Sequence, residues 1–391
     1  MADNKNNNER NVPHLRFPEF TKEWEMASLQ DIAAVNPKSN PLQNSFVYID
    51  LEAVEKGELR KIQEVMREEA PSRAQRVIYK NDILFQCVRP YQKNNYIHKI
   101  QSKSNQQWVA STGYAQIRTT EIPNYIYHLL NTDGFNRKVM VRCTGSSYPA
   151  INSEDLATIR FYLTTDTKEQ LKISRLLDLL DERIATQNKI IEDLKKLKSA
   201  IIDQLYSAIK GNEYSYRQIF EIVNERNKQL EYSNILSASQ EKGMVNREEL
   251  NLDIQFERSN INTYKVVRKG DYVIHLRSFQ GGYAFSEKTG VCSPAYTILR
   301  PNDLLEFRYL SYYFTSQKFI KSLIIVTYGI RDGRSINVEE WLDMKTIIPP
   351  KEQQCHIVET IRNIENKIEN EELYASCLSK QKQYLLRQLF I

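Results

Sequence analysis

Apolar residues recur every three or four positions in two long stretches of the chain, at residues 168–210 and 351–391. This is the periodicity of an amphipathic α-helix with one buried stripe. Sustained over about four heptads, the pattern is typical of a coiled-coil seam. The predicted seam consists of Leu177, Leu180, Ile184, Ile191, Leu194, Ile201, Leu205, Ile361, Ile364, Ile368, Ala375, Leu378, Leu385 and Leu389.

Polar residues interrupt both stripes at matching places. Gln187 and Lys198 in the first stretch correspond to Glu371 and Lys382 in the second. Polar residues on a seam weaken it but can fix register and partner choice. Each helix is about 60 Å long at ~1.5 Å per residue, and we expect the two to pair antiparallel because one alone would leave its stripe in water.

Turn-forming and capping residues mark the ends of both helices. Asp166 with Glu169, or Thr167 with Gln170, has capping-box spacing for the first helix. Gly211 is a candidate left-handed residue that ends the first helix, and Pro349-Pro350 precedes the second.

The second half of the chain repeats the first at offsets between 182 and 189 residues. The matched segments are Lys80-Asn81-Asp82-Ile83-Leu84 with Lys269-Gly270-Asp271-Tyr272-Val273, Ser111-x-x-Tyr114-x-x-x-Arg118 with Ser293-x-x-Tyr296-x-x-x-Arg300, Ile151-Asn152 with Ile336-Asn337, and Lys168-Glu169-Gln170 with Lys351-Glu352-Gln353. The order of the matches predicts four segments: globular regions at 1–167 and 211–350, each followed by a helix at 168–210 and 351–391.

Both globular regions combine short β-rich runs with helical stretches. Runs at 83–88 and 272–276 predict strands, and residues 123–142 and 303–325 predict helix. The fold class is therefore α+β, with two mixed domains alternating with two long helices and related by a pseudo-twofold internal repeat.

Charge is concentrated in equivalent parts of the two globular regions. The chain of 391 residues has a formal net charge of only +5. Residues 71–142, however, contain 11 basic and 3 acidic residues, and residues 258–334 contain 12 basic and 5 acidic residues. Basic segments interleaved with Tyr, Gln, Asn and Ser suit phosphate and base-edge contacts in nucleic acid.

Other features exclude several classes of protein. No apolar run approaches the ~18–20 residues that span a bilayer, and the polar first residues predict no secretory signal. The five cysteines are scattered with no Cys-x-x-Cys pair, which favours a reducing cytoplasm. No phosphate-binding loop, dinucleotide-binding loop or metal-ligand spacing is present, so we expect no catalytic site and no metal.

Taken together, the chain resembles the specificity (S) subunit of type I restriction–modification systems over essentially its full length. The resemblance rests on the alternating architecture, the Ile-Asn and Lys-Glu-Gln segments, and the opening Val12-Pro13-His14-Leu15-Arg16-Phe17-Pro18-Glu19-Phe20 followed by Trp24. It implies that each globular region is a target recognition domain for one half of a bipartite double-stranded DNA sequence. It also implies that the helices act as a ruler that docks two modification (M) subunits.

The resemblance further implies that the chain has no cofactor of its own. S-adenosylmethionine is expected in the M subunits, which methylate adenine at N6, and ATP and Mg in restriction (R) subunits. Candidate DNA contacts are polar, basic or aromatic residues of the basic segments and of the loops 144–149 and 328–335. They are Gln86, Arg89, Tyr91, Arg118, Ser146, Tyr148, His275, Arg277, Gln280, Arg300, Arg331 and Arg334.

Two other readings of the sequence stay open. The chain could be a coiled-coil adaptor whose basic domains bind protein or anionic surfaces. It could also be an enzyme whose active site carries no recognisable motif. Steep loss of affinity with salt would distinguish a DNA reader from the adaptor, and activity of the purified chain alone would indicate the enzyme.

Overall fold

A computed structural model describes residues 11–100, 106–239, 242–250, 258–275, 282–328 and 335–391. The chain divides into two compact units, one formed by residues 1–188 with 373–391 and the other by residues 189–372. Both long helices contribute one part to each unit, so the units differ from the predicted segments, in which helices and globular regions are separate. No helix among the described residues is long and apolar enough to cross a membrane.

The first unit is a mixed α+β domain. Its strands are β1 Glu25–Ser28, β2 Ala33–Val35, β3 Ser45–Ile49, β4 Val54–Glu55, β5 Glu58–Leu59, β6 Gln63–Met66, β7 Ala74–Ile78, β8 Ile83–Gln86, β9 Tyr96–Ile97, β10 Gln107–Ser111, β11 Tyr114–Thr119 and β12 Arg160–Leu163. Its helices are α1 Leu29–Ile32, α2 Pro123–Leu130, α3 Asp133–Arg142, α4 Ser153–Ala157 and the first part of α5 Thr167–Ser207.

Two four-stranded sheets form the frame of this unit. One has the antiparallel order β2-β11-β8-β9, and the other has the order β6-β3-β10-β7 with β3 and β10 parallel. The main apolar core lies between the first sheet, helices α2–α4 and the long helices. The predicted helix at 123–142 is two helices, because Thr132 accepts a hydrogen bond from Phe135 N and so caps α3.

The second unit repeats one four-stranded sheet of the first unit and has separate strand pairs in place of the other. Its strands are β13 Asn212–Ser215, β14 Phe220–Val223, β15 Leu236–Ser239, β16 Gly243–Asn246, β17 Lys265–Val267, β18 Tyr272–Ile274, β19 Tyr283–Phe285, β20 Gly290–Cys292, β21 Thr297–Pro301, β22 Thr327–Tyr328, β23 Ser335–Ile336 and β24 Lys345–Ile348. Its helices are α6 Tyr216–Ile219, α7 Tyr309–Tyr313, α8 Gln317–Ser322, α9 Val338–Asp343 and the first part of α10 Lys351–Leu389.

Equivalent strands occupy equivalent places in the two units. The sheet β14-β21-β18-β19 matches β2-β11-β8-β9, and the pair β13-β24 matches β1-β12. Ser316 caps α8 by accepting from Phe319 N, as Thr132 caps α3. The predicted internal repeat and α+β class are therefore confirmed.

The long helices run antiparallel within each unit. In the first unit Asp181 of α5 pairs with Lys382 of α10, and Leu177 shares a core with Leu389. In the second unit Lys198 Nζ lies 2.7 Å from Glu365 Oε1, and Ile202 shares a core with Ile361. The two lysines that interrupt the seams thus each pair with a carboxylate on the opposite helix. All predicted seam residues are buried or half-buried, and a supercoil over the full helix length stays a prediction.

Two details at the helix ends differ from the sequence analysis. Gly211 lies beyond the end of α5 and has no left-handed φ; a Cβ there would overlap the Ile348 carbonyl oxygen, so close approach of two backbones requires glycine. The Lys-Glu-Gln match is displaced by one residue, because Gln354, not Gln353, corresponds to Gln170. Both glutamines are buried and accept a hydrogen bond from the backbone of the loop ahead of α2 or α7, at Ile122 N and Glu306 N.

The segment that begins with Val12-Pro13 lies on the long helices of the first unit. Arg16 makes two hydrogen bonds, of 2.7 and 2.9 Å, to the fully buried Glu169 carboxylate, and Leu15 N donates to Gln388 O. Trp24 packs edge-on against Phe390, with ring centroids 6.1 Å apart. The opening motif therefore ties the start of the first domain to both helices.

Candidate nucleic-acid interface

A small hairpin of the first unit presents the loop at 144–150. Thr144 and Ala150 exchange backbone hydrogen bonds of 2.9 Å, and Gly145 turns the chain with a left-handed φ of 88°. The hairpin docks on the loop that follows β8, where Arg89 N donates to Pro149 O and Ile151 N donates to Cys87 O. Two loops far apart in sequence thus form one surface.

Arg89 and Tyr148 meet on this surface. The Arg89 guanidinium lies over the Tyr148 ring, 4.3 Å from its centroid, in a cation–π contact. Tyr148 is 64% exposed and Tyr91 is 51% exposed, and Ser146 is also exposed. Exposed aromatic rings beside a cation that has no carboxylate partner among the described residues suit stacking on bases and contact with phosphates.

Gln86 is not part of the exposed surface. It is 3% exposed, and its side-chain amide donates to Val88 O and Gln92 Oε1 and accepts from Asn94 N. Direct base contact would have to break these bonds. In this structure Gln86 positions the loop that carries Arg89. The predicted direct contact between Gln86 and DNA does not fit this conformation.

Arg118 and Arg300 hold equivalent turns in the two units. Arg118 donates two hydrogen bonds, of 2.8 and 2.7 Å, to Asp82, and Arg300 donates two of 2.9 Å to Asp271. Both carboxylates are almost fully buried. Each carboxylate raises the pKa of its arginine, chiefly through these hydrogen bonds. Because both arginines bind carboxylates of their own unit, their role in this structure is to hold the frame.

The turns at 79–82 and 268–271 contain equivalent hydrogen bonds. Asp82 Oδ2 accepts from Tyr79 N and Asp271 Oδ2 accepts from Arg268 N, each at 2.8 Å. Asn81 and Gly270 follow the same left-handed path, with φ of 73° and 98°. The matched Lys-Asn-Asp and Lys-Gly-Asp sequences therefore encode one turn used twice.

The corresponding surface of the second unit is described in part. His275 is half-buried, its ring centroid lies 6.0 Å from that of Tyr296, and its backbone N donates to Gly282 O. The other candidates of this unit, Arg277, Gln280, Arg331 and Arg334, lie outside the described residues. The described surface thus presents a histidine and a tyrosine where the first unit presents an arginine and two tyrosines.

Two further cations lie beside these surfaces and were not among the predicted site residues. Arg76 on β7 and Lys265 on β17 occupy the same place in the repeat, three residues before each shared turn, and both are half-buried. Their signal was available, because the offset of 189 residues that aligns Lys80 with Lys269 also aligns Arg76 with Lys265. In the described part of the chain, no group of His, Cys, Asp and Glu is arranged to hold a metal ion.

The fold defines a class of proteins with two repeated α+β domains in tandem, and comparison with known proteins names the family. The model of the type I restriction modification DNA specificity domain matches the chain twice, at residues 21–196 and 211–375. The chain belongs to this family and carries two target recognition domains in tandem. No curated protein matches the chain.

Solved structures from type I restriction–modification systems are similar to this chain in fold. One, from a study of complex assembly and conformational transition of the type I R-M system, has 20% sequence identity and a TM-score of 0.61, and covers 93% of this chain and 96% of that chain. Another, the type I restriction–modification S subunit from M. genitalium, has 14% identity and a TM-score of 0.53, and covers 97% of this chain and 99% of that chain.

Proposed function

We propose that this chain selects the DNA sequence on which a type I restriction–modification complex acts, and that it performs no chemistry itself. Each unit reads one half of a bipartite double-stranded target. The supporting observation is that one frame, with the same turn and the same buried ion pair, occurs twice and carries different side chains on the adjacent surface. Half-sites read from one face of DNA are separated by about one helical turn, so we expect a non-specified gap of roughly 5–8 bp.

The partners in this proposal are two M subunits, with R subunits bound through them. The chemistry and its cofactors belong to those subunits, with S-adenosylmethionine in M and ATP and Mg in R. Apolar side chains exposed on the long helices support a docking role, because such residues on a helix face favour a partner. They are Leu171, Leu179, Leu373, Tyr374 and Tyr384 in the first unit and Ile190 and Leu197 in the second.

Sequencing of modified bases tests this function directly. The chain is expressed with an M subunit of its own system in a cell without other adenine methylation. A new split motif of N6-methyladenine is expected, and an M subunit that is active but produces no new motif would contradict the proposal. A continuous motif would leave DNA recognition standing but refute the bipartite reading.

Salt dependence separates the proposal from the adaptor alternative. Phosphate contacts release counterions, so affinity for DNA should fall steeply between 50 and 200 mM salt. An adaptor that binds protein would show partner binding largely insensitive to salt and no protection of DNA.

A further inference from the structure

A half-buried cation occupies the same strand position in both units. Arg76 faces Ala110 across the β7–β10 pair, and Lys265 faces Cys292 across the β17–β20 pair. The shared turns at 79–82 and 268–271 begin three residues later in both cases. The repeat therefore places a basic side chain at one point of the frame twice, although the residue type differs.

Neither cation has a carboxylate within ion-pair distance among the described residues. Arg76 Nε is buried without a hydrogen-bond partner, and Lys265 Nζ donates to the Tyr296 carbonyl oxygen at 2.7 Å. Burial lowers the pKa of both groups, because no carboxylate offsets the loss of water. Holding a cation in this state costs folding free energy, and that cost calls for a compensating anion.

Both cations lie beside the candidate DNA surfaces. Arg76 faces Ala110 and Cys87 N donates to Gly113 O, so Arg76 and Cys87 both flank the connection between β10 and β11. The Cys87 carbonyl oxygen also accepts the hydrogen bond from Ile151 N that helps dock the 144–150 hairpin. In the second unit, the Tyr296 carbonyl that binds Lys265 belongs to the residue whose ring faces His275. Partial exposure leaves both cations reachable from outside.

We propose that Arg76 and Lys265 are equivalent contacts to backbone phosphates of DNA, one in each recognition domain. They set the position of each domain on the duplex and read no bases, since a phosphate carries no sequence information. This inference rests on the proposed function, because it requires that the chain binds DNA.

The test measures DNA binding of the full chain assembled with its M subunit, as a function of salt. Arg76→Gln and Lys265→Gln should each weaken binding about tenfold, as expected for loss of one charge-assisted hydrogen bond. The slope of log affinity against log salt should fall by about 0.9 in each variant and by about twice that in the double variant. The methylated motif should not change. Arg76→Lys should recover most of the affinity, and Lys22→Gln, which removes an exposed charge, serves as the control.

Thermal unfolding without DNA distinguishes this role from a structural one. An unpaired cation destabilises the protein when no phosphate is bound, so Arg76→Gln should leave the Tm unchanged or raise it. If Arg76 had a structural role, the same substitution would lower the Tm. A lower Tm with unchanged salt slope would overturn the proposal.

Two further outcomes are distinguishable. Stabilisation of the wild-type chain but not of Arg76→Gln by inorganic phosphate, with equal DNA binding by both, would identify a site for free phosphate and also overturn the proposal. Failure of the wild-type complex to bind DNA at all would instead refute the proposed function on which the inference rests.

Discussion

The turn that precedes the central strand is built alike in the two units, whereas the surface beside it differs. Asp82 with Arg118 and Asp271 with Arg300 use the same hydrogen bonds. The adjacent loop carries the Arg89–Tyr148 stack in the first unit, and His275 near Tyr296 in the second. Buried pairing thus holds the frame, and exposed side chains are left to vary without cost to it. The proposed recognition of two different half-sites requires this separation.

The largest expected effect is the loss of stability when either of the two buried carboxylates is removed. Asp82 accepts from Tyr79 N, Arg118 and also Gln116 Nε2, whereas Asp271 has no counterpart of the glutamine bond among the described residues. Asp82→Ala should destabilise the first unit by about 3–4 kcal/mol, and Asp271→Ala the second by about 1 kcal/mol less.

Hydrogen exchange read separately for the two units measures these losses. Asp82→Ala should speed exchange in β8 and β11 by more than about 100-fold and leave β18 and β21 unaffected, because local opening follows local stability. Asp82→Asn, which retains an acceptor, serves as the milder control. Equal effects of the two alanine variants would show that the Gln116 bond contributes nothing.

A second contrast is acid sensitivity at the strand beside the turn. His98 N donates to Asp82 O, and at the equivalent place Ser286 N donates to Asp271 O. Burial lowers the pKa of His98 from 6.5 to about 4. The folded state therefore resists protonation, so stability is complete above pH 6.5 and is lost as the pH falls from 6.5 towards 4. The loss is about 1.4 kcal/mol per pH unit, or about 2 kcal/mol at pH 5.

Urea unfolding at pH 7 and pH 5 checks this contrast, followed by intrinsic tryptophan fluorescence, to which Trp108 contributes. The Trp108 ring lies 4.8 Å from that of His98. His98→Phe should remove most of the difference between the two pH values, whereas His14→Phe, a change at an exposed position, should not. Burial also lowers the pKa of His128 in the same unit, so part of the acid sensitivity should persist. An unchanged difference in His98→Phe would rule out His98 as its source.

Local signals in the sequence predicted the frame but not the surface. The Lys-Asn-Asp and Lys-Gly-Asp repeat and the lysines on the helix seams predicted real equivalences, because these residues act within a turn or along one helix. The Arg89–Tyr148 stack needed the contact between loops nearly sixty residues apart. The burial of Gln86 was missed for a related reason, because a polar residue at the end of a strand gives no local sign that the following loop covers it.

The smallest effect is on the reading of one half-site. Arg89 belongs to the first unit and lies on its surface. Arg89→Ala should therefore weaken DNA binding by about 1–2 kcal/mol and relax the base preference at one position in one half of the motif. The other half, read by the second unit, should stay as strict as before. Sequencing of methylated sites measures both halves at once, with Arg60→Ala as a control, since Arg60 pairs with Glu55 and Glu58 at an exposed position. Relaxation of both halves would mean that the units do not read independently, and uniform weakening with no relaxation would place Arg89 on a phosphate.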